Sequence, residues 1–421
     1  MLAAVVSITA LLLSVALMQV GTGLFSVFLP LRMQLEAFPQ LVIGLAGSAY
    51  FAGFIAGAAT GDRLIARVGH IRCFTALMAG LVITALLMLV FVSPEFWVIA
   101  RIATGYFAST LFMVSESWLN ERVDNSQRGS VFAIYMVANY SAIALGQFML
   151  PLASPADHKH FIFAAVLFAA AVIPVALTRA TAPAPYHGIR FGIRRLYLLS
   201  PLGFVACFVI GLVQGAFYGM GPVFVTGMGF DTDAVSRFMG LVVLAGLFAQ
   251  WPIGKLSDLF DRRVVLVVVA WLTAGFALLI AFDTSISLGT LYILAAVYGA
   301  LALTIYPVAV AYVCDYADPG ELVPVTAGLI LTFGAGAAVG PTAASLVMDG
   351  FGPTGLFVFI GSSALLLAAF GVLRMFRRPS PANEEQGPFV AVPRTSPVVA
   401  DLHPLGEPPD PDLMEEPDGG T

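Results

Sequence analysis

Residues 105–124 read GYFASTLFMVSESWLNERVD, and residues 299–318 read GALALTIYPVAVAYVCDYAD. These two stretches decide the fold because they align without a gap at an offset of about 194 residues, which also pairs Gly146 with Gly340. The chain is therefore expected to consist of two homologous halves. Two such halves facing each other across a bilayer can rock about a site on their shared axis, and this organisation favours a transporter.

The composition is typical of a membrane protein. Of the 421 residues, 59% are hydrophobic and only 11% are charged, with a mean hydropathy of +0.93, whereas a soluble domain has about a quarter charged residues. A helix needs roughly 20 apolar residues to cross about 30 Å of hydrocarbon. Twelve stretches of this kind, six in each half, lie at about 4–30, 41–60, 73–92, 96–117, 130–152, 160–178, 197–225, 235–253, 264–282, 288–312, 325–348 and 355–375.

The chain divides into four segments. Residues 1–178 form the first six-helix half, and residues 197–378 form the second. Residues 179–196 between them form a basic, proline-containing connector. Residues 379–421 are rich in Pro and carry nine acids against one base. Such a composition cannot bury a core, and we expect this tail to be disordered and dispensable for folding and transport.

The basic residues indicate the orientation. The loops predicted to lie outside hold only Arg32, Lys159 and Arg237. Arg101 lies within span four, and the other basic residues fall on the inner side or in the tail. Because basic loops resist translocation, we expect a multi-pass protein of the plasma (inner) membrane with both termini in the cytoplasm. The first span lacks a basic n-region and exceeds a signal-peptide core, so we expect it to remain as a helix.

Several classes of protein are disfavoured. The cysteines Cys73, Cys207 and Cys314 lie on different spans and form no disulfide or metal-binding pattern. There is no Walker A loop, no Gly-rich nucleotide turn after a strand and no His-Glu-x-x-His pattern. We therefore expect no enzymatic activity, no metal, no cofactor and no nucleic acid. The expected partners of this protein, which we take to be a monomer, are a small-molecule substrate and membrane lipids.

The loop between the eighth and ninth spans, residues 254–263, reads GKLSDLFDRR. An acid at a helix end held by nearby guanidiniums can act as a charge latch, locking the inner side until the halves rotate. The candidate gating residues here are Asp258, Asp261, Arg262 and Arg263. The spacing, with Gly, then Asp four residues on, then paired bases, resembles the signature cytoplasmic loop of the major facilitator superfamily.

The equivalent loop of the first half departs from this pattern. Gly61 stands where the Asp is expected, so either Asp62 takes its place or this latch is weak. The runs RVGHIR at 67–72 and ESWLNER at 116–122, with QRG following at 127–129, resemble the bacterial YcaD-type group of the superfamily. The candidate gating residues of the first half are Asp62, Arg67, Arg72, Glu116, Glu121 and Arg128. A proton-sensitive site is the alternative role for Glu116.

The resemblance covers all twelve spans, to about residue 375, and has consequences for fold and function. It implies an all-α membrane protein with twelve transmembrane helices in two pseudo-symmetric halves. It also implies secondary active transport, commonly driven by a proton gradient, through a cavity lined by spans one, four, seven and ten. Arg101 and Gly105 resemble the Arg-x-x-x-Gly element of span four, which the family links to proton coupling or substrate charge.

Arg101 is the most informative single residue. A guanidinium a turn or two inside the membrane costs a few kcal/mol on insertion scales, so it should face the bundle or a wet cavity and have an acceptor. The alternative is that Arg101 snorkels to the outer headgroups and only anchors the helix.

Neutral polar residues predict a polar cavity wall. Gln19, Thr22 and Ser26 are spaced three and four residues apart and share one face of span one, and Gln19 aligns with Gln214. Amides, hydroxyls and phenols suit hydroxyl, amide or carboxylate groups on a small solute, although they could instead join helices to each other. The candidate substrate-binding residues are Gln19, Thr22, Ser26, Arg101, Thr104, Asn139, Gln147, Gln214, Tyr218, Tyr292 and Tyr306.

Glycine pairs predict where helices pack closely. Gly53 and Gly57, and likewise Gly336 and Gly340, have the four-residue spacing that lets helix backbones approach. Pro341 follows Gly340 directly, and we expect it to bend or locally break span eleven.

Three functions remain open from the sequence. A transporter of a small organic solute that works by alternating access is favoured by the polar faces in both halves. A drug or metabolite efflux pump without a dedicated substrate is an alternative, against which the lack of an acid near the middle of any span counts. A non-transporting membrane scaffold or sensor that reuses the fold is the other.

Overall fold

The computed structural model describes residues 2–122, 128–177, 192–283, 285–318, 321–377, 389 and 395, and of residues 2–8, 120–122, 128–130, 132 and 323 the backbone alone. Its α-helices are α1 (Leu2–Leu35), α2 (Gln40–Val68), α3 (His70–Val90), α4 (Pro94–Arg122), α5 (Arg128–Phe148), α6 (Lys159–Ala176), α7 (Ile193–Leu199), α8 (Pro201–Gly227), α9 (Thr232–Leu259), α10 (Arg262–Phe282), α11 (Leu288–Ala302), α12 (Ile305–Cys314), α13 (Leu322–Phe351) and α14 (Gly355–Met375).

In the described part of the chain, twelve helical spans are long and apolar enough to cross a membrane, which confirms the number predicted. Spans one to six are α1 to α6. Span seven is α8, span eight is α9, span nine is α10, span ten combines α11 and α12, and spans eleven and twelve are α13 and α14. The short helix α7 continues the connector to Leu199, and residues 178–191 of the connector lie outside the described residues.

The sequence repeat reappears as repeated helix packing. Gly105 on α4 lies so close to α2 that an added Cβ would overlap the backbone carbonyl of Tyr50. An added Cβ at its counterpart Gly299 on α11 would likewise overlap the backbone carbonyl of Val242 on α9. Spans four and ten therefore contact spans two and eight through the same device, a glycine against a backbone carbonyl.

A second pair of aligned glycines packs in the same way. Gly146 on α5 lies against the backbone of α1, and Gly340 on α13 lies against the backbone of α8. The predicted break at Pro341 is absent, because α13 is described as one continuous helix from Leu322 to Phe351. Pro341 instead packs against the glycines Gly47 and Gly219, so its ring occupies space that larger residues would fill.

The halves meet mainly along α2 and α13 and along α5 and α9. We term the end of the bundle where α2 joins α3 and α9 joins α10 the basic side, because it carries the arginines of both latch loops, and the other end the opposite side. Hydrogen bonds join the halves at the opposite side. They link Thr226 to the side-chain oxygen of Gln34 (2.9 Å), the hydroxyls of Ser48 and Thr342 (2.7 Å), and Ser236 to the Gln147 carbonyl (2.9 Å).

Two residues of the C-terminal tail are described, and both contact the helices. The backbone N–H of Phe389 donates to Asp258 Oδ1 (2.8 Å), and the hydroxyl of Thr395 donates to Glu116. The Phe389 ring fills the space beside Gly254. The rest of the predicted disordered tail lies outside the described residues.

Candidate functional site

A cavity of about 220 Å³ lies between the two halves. Its wall comes mainly from α1, α2, α4, α5 and α8, with two residues each from α3 and α13, one from α6, and Thr395 of the tail. The sequence-predicted residues that line it are Gln19, Thr22, Ser26, Arg101, Thr104, Asn139, Gln214 and Tyr218. The structure thus brings eight of the eleven candidates together around one space.

The amide side chains present oxygen acceptors to the cavity. Gln214 donates through Nε2 to the carbonyl of Ala302 (3.0 Å), and Asn139 donates through Nδ2 to the carbonyl of Tyr135 (3.0 Å). The amide oxygens of Gln214, Asn139 and Gln19 have no hydrogen-bond partner among the described residues. A buried acceptor without a partner is costly, so each of these oxygens favours a ligand or water that donates a hydrogen bond.

The hydroxyls on α1 and α4 are oriented by their own helices. Thr22 donates to the carbonyl of Met18 (2.9 Å), Ser26 donates to that of Gly23 (2.7 Å), and Thr104 donates to that of Arg101 (3.0 Å). Since each hydroxyl proton is donated within its own helix, these three residues can only accept hydrogen bonds from a solute.

Arg101 lies in the cavity wall. Its guanidinium carbon is 4.3 Å from the ring centroid of Tyr50, a cation–π contact between α4 and α2. Within the described part of the chain, no carboxylate lies within ion-pairing distance of Arg101. It is also the one charged side chain among the described lining residues. The electrostatic character of the cavity is therefore positive.

An aromatic wall completes the site, and the sequence analysis missed it. Tyr50, Phe51 and Phe54 on α2, Phe112 on α4 and Phe333 on α13 line the cavity. Tyr50 and Phe54 are four residues apart and share a helix face, so the spacing that identified the polar face of span one was also present here. Aromatic residues within an apolar span are not distinguishable from packing residues by spacing alone.

The latch residues of the second half form a compact ionic cluster on the basic side. Arg262, whose side chain is 2% exposed, pairs with Asp258 (2.9 Å) and Asp315 (2.6 Å). Arg263 pairs with Asp261 (2.7 Å). All of these partners belong to the second half, so the predicted latch is observed here as a cluster within one half and not as a bridge between halves. Asp315, which the sequence analysis did not select, is its most buried acid, 4% exposed.

The first half has no matching cluster among its described residues. Asp62 accepts a hydrogen bond from the backbone N–H of the next residue (2.8 Å), and the side chains of Arg67 and Arg72 are exposed. Glu116 is fully buried and accepts hydrogen bonds from Tyr135 (2.7 Å) and from Thr395 of the tail. The side chains of the remaining candidates, Glu121 and Arg128, lie outside the described residues.

The arrangement of two six-helix halves around this cavity has clear relatives. A model of the Major Facilitator Superfamily matches residues 11–250 and 236–403. The chain belongs to the major facilitator superfamily. An uncharacterized MFS-type transporter of Enterobacter sp. (strain 638) is 28% identical over 376 residues, covering 88% of this chain and 96% of the relative. The MFS-type transporter YcaD of Escherichia fergusonii is 28% identical over 363 residues, covering 85% and 92%, and confirms the resemblance to the YcaD-type group.

Solved structures of superfamily transporters share the fold. A mutant of the nucleoside transporter NupG superposes with a TM-score of 0.76 at 12% identity, covering 87% of this chain and 99% of that chain. A bacterial homologue of the human lysosomal transporter Spinster, in an inward-facing and unoccupied conformation, superposes with a TM-score of 0.70 at 13% identity, covering 90% and 99%. At these identities the likeness concerns the fold alone.

The cavity of this superfamily member differs from the family expectation at span ten. Among the described residues, none of span ten lines the cavity. Tyr306 packs edge-on against Phe333, with ring centroids 5.2 Å apart, and Tyr292 lies near the start of α11 outside the cavity wall. Gln147 is fully buried beyond the wall, at the contact with α9. These are the three candidates that the structure does not bring to the cavity.

Proposed function

We propose that the protein is a secondary active transporter that moves a small organic solute across the bacterial inner membrane by alternating access. The observation that carries the proposal is a cavity with polar side chains and Arg101 in its wall, which lies between two homologous halves. The halves are joined on the opposite side by the contacts of α2 with α13 and of α5 with α9. A site on the shared axis that one rocking motion can expose to either side is what alternating access requires.

The chemistry of the wall favours an organic anion as the solute. Arg101 supplies a planar, permanently charged fork that suits a carboxylate or a similar oxyanion. The free amide oxygens of Gln19, Gln214 and Asn139 suit hydroxyl or N–H donors on the same molecule. The aromatic wall suits its apolar body. This pattern also separates the proposal from an efflux pump that selects large cations, because the described wall contains no acid.

We infer that the basic side faces the cytoplasm, since basic loops resist translocation. Reporters fused after Arg195 and after Arg378 should both indicate the cytoplasm, and a reporter fused near Asp157 should indicate the outside. A signal from outside for the connector fusion would overturn both the orientation and the twelve-span topology.

Proton coupling is the family expectation, and Glu116, the buried acid of α4, is the candidate carrier. Transport that ignores an imposed pH gradient would remove that role.

The substrate class is tested with the purified full-length protein. Its melting temperature is measured against matched panels of small organic anions, cations and neutral polyols, since a ligand at about 100 times its Kd stabilises by about 2.7 kcal/mol. We expect stabilisation by a narrow set of anions, each of which is then tested for uptake into proteoliposomes. Stabilisation by cations alone would contradict the anion proposal. A broad response to unrelated compounds would favour the efflux pump, and binding without any transport would favour the scaffold or sensor.

A further inference from the structure

The two described residues of the C-terminal tail contact different halves of the bundle. Phe389 lies against α9 in the second half, and Thr395 lies against α4 in the first half. An extended chain spans at most about 3.6 Å per residue, so the segment from Phe389 to Thr395 can bridge up to about 20 Å. From Arg377, where the described part of the second half ends, the chain reaches up to about 40 Å to Phe389. The tail is long enough to cross between the halves on the basic side.

The seat of Phe389 is built into α9. Its backbone N–H donates to Asp258 Oδ1 (2.8 Å), the same oxygen that accepts from Arg262 (2.9 Å). Its ring lies where a side chain at residue 254 would project, and an added Cβ at Gly254 would overlap it. Phe389 also packs against the hydrophobic core of the bundle. Gly254 and Asp258 are one helical turn apart on the same face of α9. The glycine leaves space for the Phe389 ring, and the Asp258 carboxylate accepts a hydrogen bond from the Phe389 backbone.

The seat of Thr395 lies at the cavity itself. Its hydroxyl donates to Glu116 Oε1, the oxygen that also accepts from the Tyr135 hydroxyl (2.7 Å). Glu116 is fully buried, and a buried carboxylate needs donors to remain charged. Thr395 also forms part of the cavity wall, as Arg101 does. A tail residue therefore stands within the proposed solute pathway.

We propose that the C-terminal tail is an intramolecular ligand of the transporter that binds both halves on the basic side and restrains them in the arrangement described here. The consequence for transport rests on the proposed function, whereas the seat itself does not. While Phe389 and Thr395 are bound, Thr395 forms part of the cavity wall, and the two contacts oppose the movement of the halves that would close the basic side. Its attachment to α14 keeps it at a high effective concentration, so a few contacts suffice for occupancy and release remains reversible.

Occupancy of the seat is tested by cross-linking, which needs no knowledge of the solute. In a background where Cys73, Cys207 and Cys314 are replaced by Ser, the pair Gly254→Cys and Phe389→Cys should form a disulfide under mild oxidation in membranes, detected as a linked peptide by mass spectrometry. The matched control pairs Gly275→Cys with Phe389→Cys, because Gly275 on α10 has no neighbouring atom within 4 Å of an added Cβ. Equal linkage in both pairs, or linkage in neither, would overturn the proposal.

The restraint is tested by transport rate with a solute found by the binding panel. Thr395→Val removes the donor and keeps the shape, and Phe389→Ala removes the ring. Both should raise the initial rate severalfold, as should deletion of residues 379–421. Thr395→Ser, which keeps the hydroxyl, should leave the rate near wild type. Unchanged or reduced rates in Thr395→Val and Phe389→Ala would contradict a restraining role, and these two variants decide the matter should the deletion prevent isolation of folded protein.

The two proposals fail in different ways. If a solute binds and is transported but the Gly254 and Phe389 positions do not cross-link, the tail ligand is wrong and the transporter stands. If the positions cross-link selectively but no solute binds or is transported, the tail seat stands and the proposed function is wrong.

Discussion

The first half of the molecule and the second half share their backbone packing and differ in the side chains they turn to the interface. Gly105 and Gly299 make the same helix contact, yet four residues before each of them Arg101 lines the cavity in the first half and Ala295 is fully buried in the second. Conversely, Arg262 and its two acids form an ionic cluster in the second half, where the first half has Gly61 in place of the acid.

This difference teaches that the repeat determines the scaffold and not the chemistry. Close helix contacts need a glycine against a backbone carbonyl, and this requirement is the same in both halves. The cavity instead takes its charge from the first half, while the ionic cluster of the basic side belongs to the second. If this division holds, substitutions at the shared glycine contacts should have equal effects on stability in both halves, and substitutions at the charged sites should have unequal effects.

The largest effect is expected at the shared contact. Gly105→Val and Gly299→Val each force a branched side chain into a backbone carbonyl, which cannot move aside as a side chain can, so each should destabilise by more than about 3 kcal/mol. Gly275→Val, at an open position of α10, is the matched control. Melting temperature and monodispersity report the outcome. If one of the two glycines tolerates Val and the other does not, the packing equivalence of the halves fails.

Replacing the acids of the latch loops should lower the stability in the second half and leave it unchanged in the first. Asp315→Asn leaves the buried Arg262 without its most buried partner and should destabilise by about 3 kcal/mol. Asp258→Asn, at a side chain 38% exposed, should destabilise by about 1 kcal/mol or less, because water replaces the lost contact. Asp62→Asn in the first half should have no measurable effect on stability. Thermal unfolding of the three variants gives the order, and an Asp62 variant as unstable as the Asp315 variant would reveal a first-half cluster.

Arg101 should matter for solute binding and not for stability. Arg101→Lys keeps the charge but loses the planar fork that a carboxylate and the Tyr50 ring both require, so affinity for the anion should fall at least about tenfold, which is about 1.4 kcal/mol. The melting temperature of the free protein should stay near wild type. Arg237→Lys, at an exposed position of the second half, is the control. Full affinity and transport in both Arg101→Lys and Arg101→Gln would remove Arg101 from the site.

The smallest effect is expected for the aligned amides. Gln19→Leu removes an acceptor without a partner and should weaken solute binding about threefold without loss of stability. Gln214→Leu should weaken binding similarly but also lower stability by about 1 kcal/mol, because the Ala302 carbonyl loses its donor. Binding isotherms and melting curves of the two variants test this contrast. Identical stability in both would show that the Gln214 hydrogen bond contributes nothing.

The sequence predicted the fold well because membrane helices follow from local composition. Twelve apolar stretches predicted twelve spans. The pairs Gly53 with Gly57 and Gly336 with Gly340 predicted close packing, and each of these glycines lies against the backbone of another helix. Both predictions depend on neighbours along one helix. The polar face of α1 was predictable for the same reason. Tyr50 was not, because its role appears only when α4 brings Arg101 over its ring. Whether the lining residues bind a solute stays a prediction.

Contacts between distant segments could not be predicted from the sequence. The pairing of Arg262 with Asp315 joins spans nine and ten through tertiary structure, and no spacing rule relates them. The tail composition predicts a segment that cannot bury a core of its own. It carries no information on whether a single Phe finds a glycine surface on another segment.

The junction of Pro341 with Gly47 and Gly219 has a consequence for how the opposite side reopens. An added Cβ at either glycine would lie within 2.9 Å of the proline ring, so the two halves touch here through groups that have almost no rotamers. Residues without rotamers lose no side-chain entropy when they come together and regain none when they part. The neighbouring hydroxyls of Ser48 and Thr342 bond to each other, and each can bond to water instead when the halves part. Parting at this junction therefore requires no repacking of long side chains. Side-chain conformational entropy contributes little to the free-energy difference between the joined and parted states.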